Sequence, residues 1–313
     1  MPNKHIDIPR VDFMVPGFSK CGTTTLCSLL NEHFDIYIPE SKEANFFIHD
    51  SYINNWSRLF KFYKGAENQK MIGEGGTFYT GTASEEISRT NIFKHYPDIR
   101  LIFIARDPLD RIESSYREFH NSGAKFGIEI PFSIGEALKK HSNMIDDTRY
   151  WSRFDNYRRY LPKENLHILF LEDLQANQEV ELKRCFEFLD VDPNIEVGMT
   201  TRRLNRGSSK FYDTHLLRKM RKTAFLGPAI SKLSFEKQNT ISRSLGLRKP
   251  FKSAIQWHES TLHWLFDELA DDVHQFLEYA GKPINYWSKF SEAGERTAFA
   301  ATGANYETRK PNL

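Results

Sequence analysis

Short apolar runs alternate with longer amphipathic stretches along much of the chain. The apolar runs at residues 11–16, 101–105 and 166–171 have the length and composition of buried strands. Each is followed by a stretch of helical character, such as TTLCSLLNEHF after the first, in which leucines recur every three or four positions. Repeated buried strands, each leading into a helix, predict an α/β fold with a central parallel sheet flanked by helices.

The remainder of the pattern predicts a C-terminal helical portion. Apolar residues recur at helical spacing within residues 255–287, whereas residues 288–313 lose this periodicity and gain Gly, Thr and Lys. Polar, aromatic-rich stretches at 44–70 and 120–160 are expected to cover the ends of the sheet. We therefore expect one domain over residues 1–287 and a loosely ordered tail over 288–313.

Charge is balanced overall but not locally. The 313 residues contain 43 Lys and Arg against 41 Asp and Glu, which excludes a globally basic nucleic-acid coat, and we expect no nucleic-acid partner. Residues 202–252 nevertheless hold 14 Lys and Arg against two acids, Asp213 and Glu236. For most of these cations, a solvated helical face is the simplest interpretation.

Neither a membrane span nor a secretory leader is predicted. No stretch approaches the roughly 20 apolar residues of a transmembrane helix, and the first ten residues are polar with two prolines. The three cysteines, Cys21, Cys27 and Cys185, lack metal-ligand spacing. These features predict a cytoplasmic protein with free thiols.

The stretch PGFSKCGTTTL at residues 16–26 has the properties of a phosphate-binding loop. It joins the first predicted strand to a helix, so its backbone N–H groups and the helix dipole favour an anion. Gly22 allows close backbone approach, and Lys20 supplies a positive charge. The Walker A pattern requires Lys directly after the second glycine, and Thr23 stands there instead.

This loop resembles that of sulfotransferases that use 3′-phosphoadenosine 5′-phosphosulfate (PAPS), in which it reads K-x-G-T-T-x-L. A second family signature, R-x-P-x-x-R with a later serine, is matched by Arg106, Pro108, Arg111 and Ser114 after the second predicted strand. The resemblance covers about residues 11–287 and implies a P-loop-like nucleotide-binding core. It also implies that the 5′-phosphosulfate is bound by Lys20, Cys21, Gly22, Thr23, Thr24 and Thr25, and the 3′-phosphate by Arg106 and Ser114.

The family has a third contact, a basic loop over the 3′-phosphate. RRLNRGSSK at residues 202–210 resembles it best, which implies that Arg206 and Lys210 bind the cofactor. The same likeness implies a reaction that needs no metal, with Lys20 stabilising the leaving phosphate.

The resemblance also suggests a general base. PESKEANFF at residues 39–47 is similar to the K-E-x-x-F-F segment of the heparan-type sulfotransferases, whose glutamate corresponds to Glu43. His120 and His49 are the rivals, because other branches of the superfamily use histidine, whose ordinary pKa suits proton transfer near neutral pH.

One segment departs from the heparan-type pattern. GEGGTFYTG at residues 73–81 matches the family at Glu74 and Tyr79, but Gly75 replaces a lysine and Thr77 replaces a proline. This departure favours a smaller or less anionic acceptor than a glycosaminoglycan. The hydroxyl of a glycan, a small molecule or a carrier-bound acyl chain is an open possibility.

These observations favour a PAPS-dependent O-sulfotransferase. A P-loop nucleotide kinase or triphosphatase would share the phosphate loop but needs a Walker lysine and a magnesium carboxylate. A non-catalytic module that binds anions through residues 202–252 is the other alternative, and it predicts strongly salt-dependent binding.

Overall fold

Five parallel strands form the central sheet in a computed structural model, which describes residues 8–198, 210–223, 227, 230 and 232–302, with the backbone alone over 296–302. In spatial order β2-β3-β1-β4-β5, the strands are β1 (Phe13–Gly17), β2 (Ile36–Tyr37), β3 (Met71–Glu74), β4 (Arg100–Ala105) and β5 (Leu166–Phe170). The predicted α/β class with a parallel sheet is confirmed.

Helices connect these strands and continue beyond them. Those described are α1 (Thr23–Leu30), α2 (Trp56–Phe62), α3 (Glu85–His95), α4 (Pro108–Ser122), α5 (Ile134–Lys140), α6 (Asn143–Asp146), α7 (Tyr150–Arg158), α8 (Leu171–Ala176), α9 (Gln178–Phe188), α10 (His215–Lys222), α11 (Phe235–Ser244), α12 (Glu259–Tyr279) and α13 (Ser288–Thr302). Among the described residues, no helix combines the length and the apolar character needed to cross a membrane.

The three predicted strands are present with nearly the expected bounds. In β4 every residue after Arg100 is buried, as expected for a strand covered by helices on both faces. Strands β2 and β3 were not predicted, because β2 has only two residues and β3 ends in the buried polar Glu74. In β3 a glycine is required, since a Cβ at Gly73 would lie 2.4 Å from the Phe13 ring.

The C-terminal helices pack against the sheet's helices. In α12, Leu265, Leu269, Val273 and Phe276 are fully buried, in agreement with the predicted apolar periodicity. The carboxylate of Asp272 accepts hydrogen bonds from the backbone N–H groups of Trp151 and Ser152, which start α7.

Residues 288–302 form the helix α13 instead of the loosely ordered tail that we expected from the sequence. Phe290 and Ala293 of this helix are buried, and the Phe290 ring lies 5.1 Å from that of Phe266. A Cβ at Gly294 would lie 2.3 Å from the same Phe266 ring, so the glycine permits this close packing. The sequence did not predict α13 because its apolar periodicity is weak and tertiary contacts stabilise it. Residues 303–313 lie outside the described residues, and the single-domain boundary at 287 stays a prediction.

The described part of the basic segment contains a second, small sheet. Here β6 (Phe211–Asp213) pairs antiparallel with β7 (Arg248–Pro250). Arg248 is buried beside Asp213, and its guanidinium also donates to the backbone carbonyls of His120, Asn121 and Phe211. This arginine therefore joins the small sheet to the end of α4.

Candidate functional site

The two sequence signatures meet at the carboxyl edge of the sheet. Strands β1 and β4 are neighbours, and the backbone N–H of Phe18 donates to the carbonyl of Ile104 at 2.9 Å. The loop that follows β1 therefore lies beside the turn that follows β4. In parallel sheets, this edge is where ligands bind.

The loop after β1 presents unpartnered donors at the start of α1. Gly22 adopts φ 97° as the N-cap, and a Cβ there would lie 2.7 Å from Leu171, so a glycine is required. Within the described part of the chain, no hydrogen bond engages the backbone N–H groups of Thr23, Thr24 and Thr25. Three free N–H groups at a helix N-terminus form a cradle suited to phosphate or sulfate.

Arg111 locks the two signatures together. Its side chain is 1% exposed, and its Nε donates to the carbonyl of Ser19 at 3.1 Å. Its Nη1 donates to the carbonyl of Met144 and to the hydroxyl of Thr148, at 2.7 and 3.0 Å. An arginine of the second signature thus holds the backbone of the first loop, which makes Arg111 a structural element of the site.

Tyr150 forms a second connection between the signatures. Its hydroxyl donates to the carbonyl of Arg106 at 2.8 Å and lies 3.3 Å from the Sγ of Cys21. The thiol of Cys21 also donates to the carbonyl of Ser19, with 3.7 Å between Sγ and the oxygen. Burial raises the pKa of Cys21 to about 11, so this thiol is protonated at neutral pH.

The turn after β4 begins α4 as the sequence predicts. The Oδ1 of Asp107 accepts from the backbone N–H of Leu109 at 2.9 Å, and Pro108 occupies the first turn. The guanidinium of Arg106 lies 3.3 Å from Asp110, and its side chain is 27% exposed. Ser114 is half-buried two turns further along the helix. Binding of the 3′-phosphate by Arg106 and Ser114 stays a prediction.

Lys20 and Lys210 converge on one carboxylate. The Nζ atoms of Lys20 and Lys210 lie 3.2 and 2.6 Å from the same Oε2 atom of Glu118 on α4. Lys20 adopts φ 68°, a left-handed conformation that is uncommon outside glycine and concentrates at functional sites. The structure thus joins two predicted cofactor-binding residues, whereas Arg206 lies outside the described residues.

Glu43 lies on a segment anchored to the adjacent strand end. Next to it, the backbone N–H of Ala44 donates to Glu74 at 3.1 Å, and the N–H of Gly75 donates to the carbonyl of Lys42 at 2.8 Å. The Glu43 carboxylate forms an ion pair with Lys42 and is 32% exposed. Because β3 neighbours β1, these anchors hold Glu43 at the same edge of the sheet as the phosphate loop.

The same segment explains the departure at position 75. A Cβ at Gly75 would lie 2.5 Å from the Sγ of Cys27 on α1, so a lysine there would collide with the helix. The Nζ of Lys42 donates to the carbonyl of Gly75 at 2.8 Å and places a positive charge nearby.

The described contacts of the His120 ring include neither Lys20, Lys210 nor Glu43. The ring packs 4.5 Å from Tyr116 and 5.5 Å from Phe251, and Nη2 of Arg218 donates to its Nδ1 at 3.4 Å. Burial and the positive charge of Arg218 lower the pKa of His120 to about 3. The described contacts therefore support a packing role at the end of α4, and its catalytic role stays a prediction.

Sequence reasoning missed Glu118, Tyr150 and the locking role of Arg111. Glu118 lies four residues after Ser114, and this spacing on a helix that carries the second signature was the available signal. Nothing in the sequence pointed to Tyr150. Among the described residues, no group of three or more His, Cys, Asp or Glu is arranged to hold a metal ion.

Comparison with known proteins identifies the family. Residues 10–226 match the family model described as the sulfotransferase domain, so the chain belongs to this family. It is 34% identical over 275 residues to the membrane-associated sulfotransferase kil1 of Dictyostelium discoideum, covering 60% of this chain and 57% of that protein. It is 25% identical over 194 residues to the mouse heparan sulfate glucosamine 3-O-sulfotransferase 5, covering 58% and 54%.

The chain spans about half of the length of the curated relatives that it matches. Among solved structures, the fold is similar to that of a sulfotransferase from Alicyclobacillus acidocaldarius, with a TM-score of 0.52 and 23% identity over 72% of this chain and 95% of that one. The structural likeness supports the fold.

Proposed function

We propose that the protein is an O-sulfotransferase that transfers the sulfuryl group of PAPS to a hydroxyl of an acceptor. The observation that carries the proposal is the hydrogen bond from Arg111 to the carbonyl of Ser19. It joins the two family signatures at the ends of neighbouring strands, where one nucleotide can contact both. Family membership supports the same conclusion.

The chemistry of the donors suits the cofactor. The free N–H groups of Thr23, Thr24 and Thr25, the glycine at position 22 and the ammonium of Lys20 would hold the 5′-phosphosulfate. Arg106, Ser114 and Lys210 would hold the 3′-phosphate. When bound, PAPS supplies the sulfuryl group. Burial lowers the pKa of Lys20 but Glu118 opposes the change, and the lysine would neutralise charge on the leaving phosphate oxygen.

Glu43 would accept the proton of the acceptor hydroxyl. Its carboxylate is partly exposed at the strand edge, whereas its neighbour Glu74 is fully buried and serves to anchor the segment. The ion pair with Lys42 would orient the carboxylate toward the acceptor. A base at this position needs no metal.

The acceptor is an alcohol of unassigned class. The relatives include carbohydrate sulfotransferase 15 of the mouse, which is 24% identical over 249 residues. The ammonium of Lys42, 2.8 Å from the carbonyl of Gly75, supplies a positive charge where the heparan-type pattern has a lysine, so anionic and neutral acceptors both belong in the screen. A cytoplasmic location stays a prediction from the sequence.

Thermal melting with adenosine 3′,5′-bisphosphate, the expected product, tests the donor site. At a hundredfold excess over Kd, a ligand that binds only the folded state adds about 2.7 kcal/mol to the free energy of unfolding. We expect Tm to rise by several degrees, and by less with adenosine 5′-monophosphate, which lacks the 3′-phosphate. Equal stabilisation by both, or none by either, would contradict the proposal.

An acceptor screen with sulfur-labelled PAPS then tests transfer and the base. Label should move to a glycan, a small alcohol or a carrier-bound acyl chain in the presence of a chelator. In the same assay, Glu43→Gln should lose activity while keeping its affinity for adenosine 3′,5′-bisphosphate, whereas His120→Gln should remain active. Loss of activity in the His120 variant alone would move the base to the histidine.

A further inference from the structure

Glu118 occupies the space between two cations that the proposed function assigns to the nucleotide. One oxygen, Oε2, is the ion-pair partner of both Lys20 and Lys210, at 3.2 and 2.6 Å. No other ion pair of either lysine involves the described residues. The three side chains are 18–30% exposed, so solvent and ligands can reach them.

The carboxylate is a permanent anion. Burial alone would raise its pKa, but the two lysines dominate and lower the pKa of Glu118 to about 2. It is therefore ionised at any pH at which the protein would work. Without it, two ammonium groups would face each other across a gap spanned by one oxygen atom, which is a strongly repulsive arrangement.

The position has a consequence for ligand binding. Lys20 begins the loop assigned to the 5′-phosphosulfate, whereas Lys210 ends the basic stretch assigned to the 3′-phosphate. A nucleotide anion that engages these lysines competes with the carboxylate that already pairs with them. We propose that Glu118 is a resident counter-anion, which the nucleotide displaces from Lys20 and Lys210 on binding and which recaptures them when the product leaves.

This inference rests on the proposed function, and it predicts an affinity that rises when the competitor is removed. By titration calorimetry, Glu118→Gln should bind adenosine 3′,5′-bisphosphate roughly 2- to 30-fold more tightly, because two partly exposed ion pairs no longer need to be broken. In the transfer assay, the KM for PAPS should fall, with kcat unchanged or lowered through slower product release.

Glu113→Gln is the matched control. Glu113 lies on the same helix, accepts from Trp257 Nε1 at 2.8 Å and pairs weakly with Arg117, but it contacts neither lysine. Its variant removes one negative charge from α4 and should leave the affinity unchanged. A similar gain in affinity in both variants would show that loss of any negative charge on α4 strengthens binding, and it would overturn the inference.

The alternative role for Glu118 predicts the opposite result. If the carboxylate holds Lys20 in its binding position, Glu118→Gln weakens nucleotide binding, and an unchanged or weakened affinity overturns the inference. Should the Gln variant not fold, Glu118→Ser serves in its place, and Glu118→Asp, which keeps the charge, should bind near the wild-type affinity. Absence of binding by the wild-type protein would instead refute the proposed function.

Discussion

The turn after β1 carries one cation, Lys20, whereas the segment at residues 210–252 is rich in cations, and the two regions hold their cations differently. In the segment, Arg248 is covered by Asp213 and three backbone carbonyls, whereas Lys219, Lys232 and Lys237 are exposed and form no ion pair among the described residues. At the turn, Lys20 is partly buried and shares a single carboxylate. Whether a cation can bind a ligand therefore depends more on the acidic and carbonyl groups that already surround it than on the local excess of positive charge.

The comparison separates three kinds of cation. A buried arginine that pairs with an acid and donates to several carbonyls or hydroxyls, such as Arg248 or Arg111, stabilises the fold. A fully solvated lysine contributes little to stability and serves mainly to keep the surface charged. A lysine at a strand end, beside free N–H groups and with one exchangeable partner, has the properties of a ligand-binding group.

The largest expected effect concerns Arg248, the buried arginine of the basic segment. Arg248→Ala should lower the free energy of unfolding by about 3–5 kcal/mol, because Asp213 loses its buried partner and three carbonyls lose a donor. Denaturant unfolding measures this loss. A variant as stable as the wild type would mean that Arg248 is as dispensable as the exposed lysines.

Lys20→Ala should lower the rate of sulfuryl transfer and leave the fold intact. We expect transfer to fall by about 10²–10³-fold, the usual cost of removing one donor that stabilises developing charge, while the melting temperature changes little. Lys237→Ala, which removes an exposed lysine from the basic segment, is the control and should keep full activity. Full activity in the Lys20 variant would remove this residue from the proposed site.

A smaller effect is expected from Glu74, which anchors the segment that carries Glu43. Burial raises the pKa of Glu74 from 4.5 to about 7, so the folded protein binds this proton more tightly than the unfolded chain does. The folded state therefore loses stability as pH rises from about 5 to 8. Relative to Glu74→Gln, which does not titrate, the wild type should lose up to about 3 kcal/mol over this range.

Measured unfolding curves at several pH values check this difference. Parallel stability profiles for the two proteins would show that the carboxyl of Glu74 is ionised at its ordinary pKa in the folded state. The result would also tell whether the hydrogen bonds from Tyr79 and Ala44 outweigh burial.

The sequence was sufficient for strands β1, β4 and β5 and for the loop that joins β1 to α1. Both depend on local signals, namely short continuous apolar runs and a glycine next to the start of a helix. Strands β2 and β3 depend instead on pairing with distant strands, and α13 depends on packing against α12, neither of which a local pattern records.

The candidate site was predictable to the same extent. The signature residues could be named, but the way in which they meet could not, because Arg111 reaches Ser19 across 92 positions of the chain. The same holds for Glu118, which becomes relevant only where α4 brings it between Lys20 and Lys210. Contacts of this kind join residues that are distant along the chain, so they form only when the chain folds and no local sequence pattern indicates them.

The backbone N–H of Phe290 donates to the Asp107 carboxylate at 3.3 Å, and the indole of Trp287 donates to Glu172, whose other oxygen accepts from the N–H of Asp107. The family match ends at residue 226. Phe290 and Trp287 lie beyond that residue, but their hydrogen bonds stabilise the first turn of α4. Truncation at residue 226 would remove the hydrogen bonds that Phe290 donates to Asp107 and Trp287 donates to Glu172. A shortened fragment that keeps these bonds therefore extends past Phe290.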